Sequence, residues 1–263
     1  MDLQNLNNEK IMKNSKIVVF TILASLFTFP IIAQDVEVVK ALKKSDFYRG
    51  GSEGIEWNVR VQNIEQGELR NDLTISVEGT ASDDHFYSLI SFVGPKKFEG
   101  QKLLIRDNNM WFMKKGLSNP VPISSRQRLS GNAANADVAA ANYSKDYTIE
   151  TVENGNINNK PCWILDLKAK DNLVTYPRVK YWISKNENFG LQAEFYGKSN
   201  KLIKTATFEY NNKVNYKSHN YDYLSKISIA DMINKEDKTT LSISSISFPT
   251  FSSSKFQKDR LLD

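Results

Sequence analysis

The chain is poor in the residues from which most catalytic and metal sites are built. It has one cysteine and two histidines among 263 residues. The single cysteine, Cys162, allows no intramolecular disulfide. Neither His85 nor His219 has cysteine, histidine or carboxylate neighbours at metal-ligand spacing. The sequence therefore predicts no metal site and no disulfide framework.

Phosphate-binding loops are missing as well, since the chain contains neither a P-loop nor a GxGxxG motif. Cys162 stands between Pro161 and Trp163 at the start of an apolar stretch, so we expect a buried, unreactive thiol. The paired carboxylates Asp83 and Asp84 lie in a turn-like segment and are expected to be solvated. We predict a protein that is not an enzyme and has no cofactor. A secreted hydrolase is the alternative.

The chain also lacks any run of five or more like charges. Its formal net charge is +5, and the basic residues are interspersed with acidic ones. Nucleic-acid binding by a basic arm or stripe is therefore not expected. The small positive excess is compatible with weak attraction to anionic membrane surfaces.

No apolar run reaches the about 20 residues of a membrane-spanning helix. The longest, Ile17 to Phe29, follows Lys13 and Lys16 and precedes Pro30-Ile31-Ile32-Ala33. This order is typical of a secretory signal peptide with cleavage after Ala33. We therefore expect residues 1–33 to be removed, leaving a soluble protein in the periplasm of a Gram-negative bacterium. A retained anchor is the alternative, and Met12 is an alternative start.

What the chain does have is alternation with a period of two residues, the pattern of half-buried strands. It is clearest from Ile55 to Val61 and from Leu73 to Val77. Further strands are predicted at Phe86–Val93, Leu103–Arg106, Met110–Lys114, Tyr147–Val152, Cys162–Ala169, Val179–Ser184, Leu191–Tyr196, Lys204–Tyr210, Leu224–Ile229 and Thr240–Phe248. Short polar turns separate them, which favours one mainly β domain, residues 34–263, with an antiparallel sheet curled into a barrel or half-barrel.

Two segments have helical character. Asp35 to Ser45 places Val36, Val39 and Leu42 on one predicted face. Asn132 to Tyr143 is rich in alanine, which has the highest helix propensity. We predict that this second helix lies at the mouth of the curled sheet as a movable lid, with Ala136, Ala139, Ala140 and Tyr143 as its candidate residues.

Two short helices can cover the concave face of such a sheet only in part, so the remainder should form an apolar hollow suited to a hydrocarbon chain. Ordinary core packing is the alternative for each aromatic residue. The candidate cavity residues are Trp57, Val59, Val61, Leu73, Ile75, Val77, Leu103, Ile105, Trp111, Trp163, Leu165, Tyr181 and Phe195. Recognition is expected to depend on hydrophobicity, without a specific polar contact.

Several segments resemble a known family. They are Gln127-Arg128-Leu129-Ser130-Gly131 with the alanine-rich stretch after it, Cys162 to Ala169, Tyr176-Pro177-Arg178-Val179-Lys180-Tyr181-Trp182-Ile183, and Ala193-Glu194-Phe195-Tyr196. Together, and in this order, they resemble the LolA-like outer-membrane lipoprotein-sorting proteins over roughly residues 35–260. The turn Ser199-Asn200-Lys201 departs from the family, which commonly has glycine before the lysine.

The resemblance implies a LolA/LolB-like fold: an unclosed, strongly curved antiparallel β-barrel with short helices plugging the concave face. It implies a monomeric periplasmic carrier, or chaperone, for acyl chains of lipoproteins or lipids. Its partners would be an inner-membrane lipid or lipoprotein exporter and an outer-membrane acceptor. An adaptor subunit of an inner-membrane lipid exporter, without its own cargo, is the main alternative, and a purely structural β protein is another.

Overall fold

The structure is a computed structural model that describes residues 29–82, 85–107, 109–139 and 142–262. The predicted signal peptide lies outside the described residues, except that the backbone of residues 29–33 begins a helix. Two α-helices occur in the described ranges, α1 (Phe29–Phe47) and α2 (Tyr143–Asp146). Short 3-10 turns lie at Lys96–Phe98, Asn135–Asp137, Ser253–Phe256 and Lys258–Leu261.

Strands make up most of the remaining structure. The first nine are β1 (Ile55–Glu65), β2 (Glu68–Ala81), β3 (Phe86–Gly94), β4 (Lys102–Arg106), β5 (Asn109–Met113), β6 (Val121–Ile123), β7 (Arg128–Ser130), β8 (Ala133–Ala134) and β9 (Tyr147–Ile157). The others are β10 (Lys160–Ala169), β11 (Arg178–Ser184), β12 (Gly190–Tyr196), β13 (Leu202–Glu209), β14 (Asn212–Tyr216), β15 (His219–Tyr223), β16 (Lys226–Asp231) and β17 (Lys238–Ser247).

Thirteen of these strands form one antiparallel sheet in the order β6-β5-β4-β3-β2-β1-β17-β16-β13-β12-β11-β10-β9. The two end strands, β6 and β9, do not pair with each other, so the barrel is unclosed, as predicted. The strand pairs β7–β8 and β14–β15 form two separate small ladders. Within the large sheet, six of the twelve strand pairs contain a register shift. Such bulges bend a strand and increase its twist, which helps a sheet to curl.

The concave face is formed by one alternating set of side chains on the strands. Val59 pairs with Ile75 on one side and with Ile243 on the other, and cross-strand partners share a face. Residues from opposite halves of the sheet, such as Val59 and Tyr181, belong to one buried cluster. A flat sheet could not bring them together, so the predicted strong curvature is confirmed.

Helix α1 lies against this concave face, although not with the predicted side. Val38, Ala41, Leu42 and Ser45 are buried, with spacings of three and four residues. Val36 and Val39 are 49% and 45% exposed, so the predicted face was wrong for both valines. Apolar residues occur on more than one side of α1, so their spacing does not determine which side is buried. The contact with the sheet determines it.

Trp111 is a second correction, because it lies on the outer face of the sheet. It is the cross-strand partner of Leu104, and both pack in a small outer cluster with Phe256 and Leu261 from the C-terminal turns. Leu103, the residue before Leu104, points to the concave side. Because Met110 to Met113 is apolar at every position, alternation along β5 could not reveal which residues face inward.

Residues 124–139 and 142–146, which we name the strap, run across the mouth of the concave face. They contain β7, β8, a 3-10 turn and α2, so the predicted continuous helix from Asn132 to Tyr143 is wrong. Backbone N–H groups of the alanine-rich part bond within the strap instead: Asn135 to the carbonyl of Gln127, and Ala136 to that of Ser125. Together with long-range bonds from Asn132 to the sheet and from Tyr143 to α1, these contacts override the helix propensity of alanine.

At Gly131 the strap backbone approaches the sheet closely. Its φ is +53°, and a Cβ atom there would lie 2.0 Å from Oδ1 of Asn63, a residue with no exposed surface. Asn63 is held in place, since it accepts a hydrogen bond from the Thr239 hydroxyl at 3.1 Å. The bare glycine backbone therefore permits the strap to dock.

We expect Gly131→Ala to lower the free energy of unfolding by ~2–4 kcal/mol, because backbone strain and overpacking both act there. Gly67→Ala is the matched control. Gly67 also has positive φ, +81°, but a Cβ would meet no atom within 4 Å, so a loss of only ~1 kcal/mol is expected. Urea denaturation measures both. Equal losses for the two variants would contradict the close approach at Gly131.

Candidate functional site

A cavity of about 100 Å³ lies between the strap and the concave face of the sheet. Its wall is apolar and aromatic over the strands and mixed over the strap. The lining residues are Arg49, Phe86, Ile105, Asp107, Asn109, Met110, Ser125, Ala136, Asp137, Ala139, Asn142, Tyr143, Asp146, Tyr147, Leu173, Val174, Thr175, Tyr176, Phe195, Ala206, Phe208, Ile227 and Ile229. A much smaller cavity adjoins it and shares Arg49, Asp137, Ala139 and Ile227 with it.

Asp137 anchors the centre of the strap to the sheet through a buried ion pair with Lys204 on β13. The two side chains are 9% and 7% exposed. The Asp137 carboxylate also accepts the Tyr176 hydroxyl at 3.0 Å and the Ala134 N–H at 2.7 Å. Burial, and next the charge of Asp137, raises the pKa of Tyr176 well above its usual value, so this hydroxyl remains a donor. Loss of one partner would leave an uncompensated buried charge.

Asp46, in the last turn of α1, holds the other end of the strap. Its carboxylate accepts the backbone N–H groups of Tyr143 at 3.0 Å and of Ser144 at 2.8 Å, at the start of α2. Burial raises the pKa of Asp46, and these N–H groups act against that rise. The strap is thus bound to the helix as well as to the sheet.

Arg126 makes a third connection, to the loop between β10 and β11. Its guanidinium donates to the carbonyls of Thr175 at 2.8 Å, Val174 at 2.7 Å and Asn172 at 3.0 Å. Beside it, the Thr175 hydroxyl donates to that of Ser125 at 2.8 Å. The strap is therefore attached at both ends and in the middle, mainly by polar contacts.

Arg49 follows α1 and places its guanidinium inside the hollow. The side chain lies over the rings of Phe208, Tyr143 and Tyr181, at 4.3, 4.7 and 5.6 Å from their centroids. Its Nη1 donates to the Tyr181 hydroxyl at 3.2 Å. Burial acts to lower the pKa of Arg49, but the surrounding tyrosines, Tyr181 first, raise it by more. The net pKa is therefore raised, and the guanidinium keeps its charge. A permanent cation thus faces an otherwise aromatic cavity.

The sequence contains one match to the GxSxG motif of hydrolases, at Gly50-Gly51-Ser52-Glu53-Gly54. A nucleophile elbow joins a strand to a helix, whereas this segment joins α1 to β1. The Ser52 hydroxyl donates to the carbonyl of Gly54 at 3.0 Å. His85 lies 3.4 Å from Asp107, and His219 contacts the carbonyl of Lys217, so the hydrogen bonds of both histidines involve groups other than Ser52.

Cys162, another sequence candidate for chemistry, lines neither cavity. Cys162 is fully buried, and burial raises the pKa of its thiol, in agreement with the predicted unreactive cysteine. Asp83 and Asp84 lie outside the described residues. Over the part of the chain that the structure describes, no three histidine, cysteine or carboxylate side chains are grouped as metal ligands. No helix within the same ranges is long and apolar enough to cross a membrane.

The chain is similar in sequence to one protein family and in fold to several solved structures. A family model described as that of an uncharacterized protein matches residues 84–263. A LolA superfamily protein from Nitrosomonas europaea is 25% identical, with a TM-score of 0.74 over 84% of this chain and 97% of that one. The chain belongs to the family that this model describes, and its fold is LolA-like.

Two further solved structures share the fold of this LolA-like protein. A putative outer-membrane lipoprotein-sorting protein domain from Vibrio parahaemolyticus is 18% identical, with a TM-score of 0.71 over 85% of this chain and 97% of that one. A DUF1329 family protein from Desulfovibrio piger is 18% identical, with a TM-score of 0.69 over 86% and 98%. No curated protein matches the chain by sequence.

The structure distributes the predicted cavity residues unevenly. Ile105 and Phe195 line the main cavity, as do the strap residues Ala136, Ala139 and Tyr143. Trp57 and Val59 line the smaller cavity. Most of the others are packed in the core and line neither cavity: Val61, Leu73, Ile75, Val77, Leu103, Trp163, Leu165 and Tyr181. Ala140 lies outside the described residues.

Sequence reasoning missed the polar part of this LolA-like site. Arg49, Asp137 and Lys204 had no distinguishing local pattern, since each is a single charged residue among ordinary neighbours. The β14–β15 hairpin was also missed, although Tyr221 and Tyr223 alternate with polar residues. Its aromatic rings pack on Phe47 at the end of α1, with the ring of Tyr221 at 5.2 Å.

Asp146, at the end of α2, carries a perturbed carboxyl in the cavity wall. Burial raises its pKa from 3.8 to about 6, against the opposing charge of Lys145. A folded-state pKa above the unfolded value means that protonation favours folding. The ionised carboxylate therefore opposes folding above about pH 6, and the penalty disappears as pH falls below about 4.

We expect Asp146→Asn to be more stable than the parent protein by ~1–3 kcal/mol at pH 7.5, because the amide stays neutral. The difference should shrink as pH falls and become small near pH 3, where the parent carboxyl is mostly protonated in both the folded and the unfolded state. Denaturant titrations across this range measure it, with exposed Glu236→Gln as the control. A stability difference independent of pH would contradict the raised pKa.

Proposed function

We propose that this LolA-like protein is a periplasmic carrier that binds acyl chains of lipoproteins or lipids in the hollow and moves them toward the outer membrane. The proposal includes export by the predicted signal peptide, residues 1–33, in a Gram-negative bacterium, and action as a monomer. The family supports a carrier-type protein. The partners are then an inner-membrane exporter and an outer-membrane acceptor.

The observation that carries the proposal is the way the concave face is covered. A continuous apolar face of the sheet lies under a strap that has little regular structure and is attached by a few polar groups. Polar contacts can be exchanged for water when a segment moves outward, so a strap held in this way can open without unfolding the sheet.

The volume of the hollow requires such a movement. Ligand pockets usually measure roughly 300–1,000 Å³, and the cavity under the strap measures about 100 Å³. An acyl chain can therefore enter only if the strap moves away from the sheet. The lid role predicted for Ala136, Ala139, Ala140 and Tyr143 is retained as part of the proposal, with the strap in place of a helix.

The alternative is an adaptor subunit of a lipid exporter that carries no cargo. Two observations favour it: the small inner volume, and a larger open groove of about 640 Å³ between α1 and the free edge strand β9. The groove is lined in part by Val39, Leu42, Ile149 and Val152. An exposed strand edge is a common docking surface for another chain.

The double variant Ser125→Cys/Thr175→Cys tests the movement of the strap. The two hydroxyl oxygens lie 2.8 Å apart, which suits a disulfide between the strap and the loop after β10. We expect the oxidised variant to lose binding of long-chain alcohols and the reduced variant to keep it. The buried Cys162 should not interfere. Full binding by protein with a verified cross-link would refute the opening of the strap.

A series of neutral fatty alcohols from eight to sixteen carbons tests the carrier itself. Each buried CH₂ contributes about 0.8 kcal/mol, so affinity should rise with chain length until the hollow is full. Ile105→Glu, in the cavity wall, should weaken every alcohol, because a buried charge without a partner is costly. Leu69→Glu is the control, since Leu69 is 56% exposed.

Titration by intrinsic fluorescence gives the affinities, and circular dichroism checks that each variant is folded. Affinity that does not depend on chain length, or no binding of any alcohol, would favour the adaptor.

A further inference from the structure

Three buried side-chain nitrogen atoms have no hydrogen-bond partner within the described protein: Nε of Arg49, Nδ2 of Asn142 and Nε1 of Trp57. All three are donors. Arg49 and Asn142 line the main cavity, and Arg49 and Trp57 line the smaller cavity beside it. The unpaired groups are therefore gathered around one hollow and are all of one kind.

A buried donor without an acceptor is unfavourable, and the cost is larger for a charged group. Arg49 is 8% exposed, and no carboxylate among the described residues forms a salt bridge with it. The rings of Phe208, Tyr143 and Tyr181 pack around the guanidinium, and the acceptors they offer are neutral tyrosine hydroxyls, with that of Tyr181 at 3.2 Å. Arginine is suited to bind two oxygen atoms of one anion with its planar set of donors.

The carboxylates nearest to this cation are already engaged. Asp46 accepts two backbone N–H groups of the strap, and Asp137 is paired with Lys204. Asp107 accepts from Lys145 at 2.5 Å and lies 3.4 Å from His85. Asp146 is the remaining acid of the cavity wall, and among the described residues it forms no salt bridge with Arg49. An incoming anion would thus meet an arginine whose charge has no counter-ion in contact.

We propose that Arg49, with Asn142, binds an anionic head group that carries at least two acceptor oxygens, on a ligand whose single alkyl chain lies against the apolar wall of the hollow. The ligand class is a single-chain acidic amphiphile, either the carboxylate of a free fatty acid or the phosphate of a lysolipid. This inference rests on the proposed carrier function and adds a polar specificity that hydrophobicity alone does not supply.

The test compares dodecanoate, methyl dodecanoate and 1-dodecanol at pH 8, using the full exported protein. The three share one alkyl chain, and only the first is an anion. A charge-assisted hydrogen bond within the hollow should make dodecanoate bind about 10- to 100-fold more tightly than the ester or the alcohol. A twelve-carbon lysophosphatidic acid forms the fourth arm. If it binds more tightly than dodecanoate, the head group is a phosphate.

Variants connect this preference to Arg49. Arg49→Gln should bring the acid-to-ester affinity ratio close to one, Arg49→Lys should leave a reduced preference, and Asn142→Ala should lower the ratio less than Arg49→Gln. Arg60→Gln is the matched control, because Arg60 is an exposed arginine paired with Asp72 on the outer face of the sheet. It should keep the full ratio.

The outcomes separate this inference from the carrier function. Equal binding of acid, ester and alcohol by the parent protein would overturn the anion site and leave the carrier intact. An acid preference that survives in folded Arg49→Gln would also overturn it. Failure of all four amphiphiles to bind would overturn both. The comparison within the parent protein decides the matter even if Arg49→Gln does not fold.

Discussion

The concave apolar face of an unclosed sheet has to be covered, and most of the features around the site follow from this need. Thirteen strands bring residues such as Val59 and Tyr181 into one cluster, but the end strands β6 and β9 do not meet. Helix α1 covers part of the opening and the strap covers the rest. The strap buries only small apolar side chains completely, such as Ala133 and Val138, and Asp137, Asp46 and Arg126 add polar attachments to the sheet, the helix and a loop.

This way of covering the hollow has consequences for stability. The ion pair of Asp137 and Lys204 is buried at the centre of the strap, where desolvation offsets much of the attraction between the charges. The pair therefore specifies where the strap lies more than it stabilises the fold. Asp146 acts in the opposite direction at neutral pH, since its buried carboxyl has a raised pKa. The ion pair attaches the strap, whereas the ionised Asp146 opposes folding at neutral pH, so the net stabilisation by these buried charges is small.

The Arg49 guanidinium places a positive charge at one end of α1 inside an otherwise aromatic hollow. Arg49 leaves α1 at the point where the helix ends, and the rings of Tyr143, Tyr181 and Phe208 hold its guanidinium among aromatic surfaces. Tyr143 belongs to the strap and Tyr181 and Phe208 to the sheet, so the arginine lies at the junction of strap and sheet. A ligand that engages Arg49 would therefore also act on the contact between strap and helix.

Alternation along the chain was enough to determine the mainly β class, most strands and the inward direction of residues such as Trp57, Val59 and Ile75, because a period of two residues is a local property. Where a segment was apolar at every position, as around Trp111, the same reasoning could not separate the two faces. Alanine propensity predicted a helix at residues 132–143, and long-range bonds to the sheet and to α1 replaced it with the strap. The tertiary structure alone gathered Arg49, Asp137 and Lys204 around one hollow, because contacts between residues far apart in sequence leave no periodic signal in the chain.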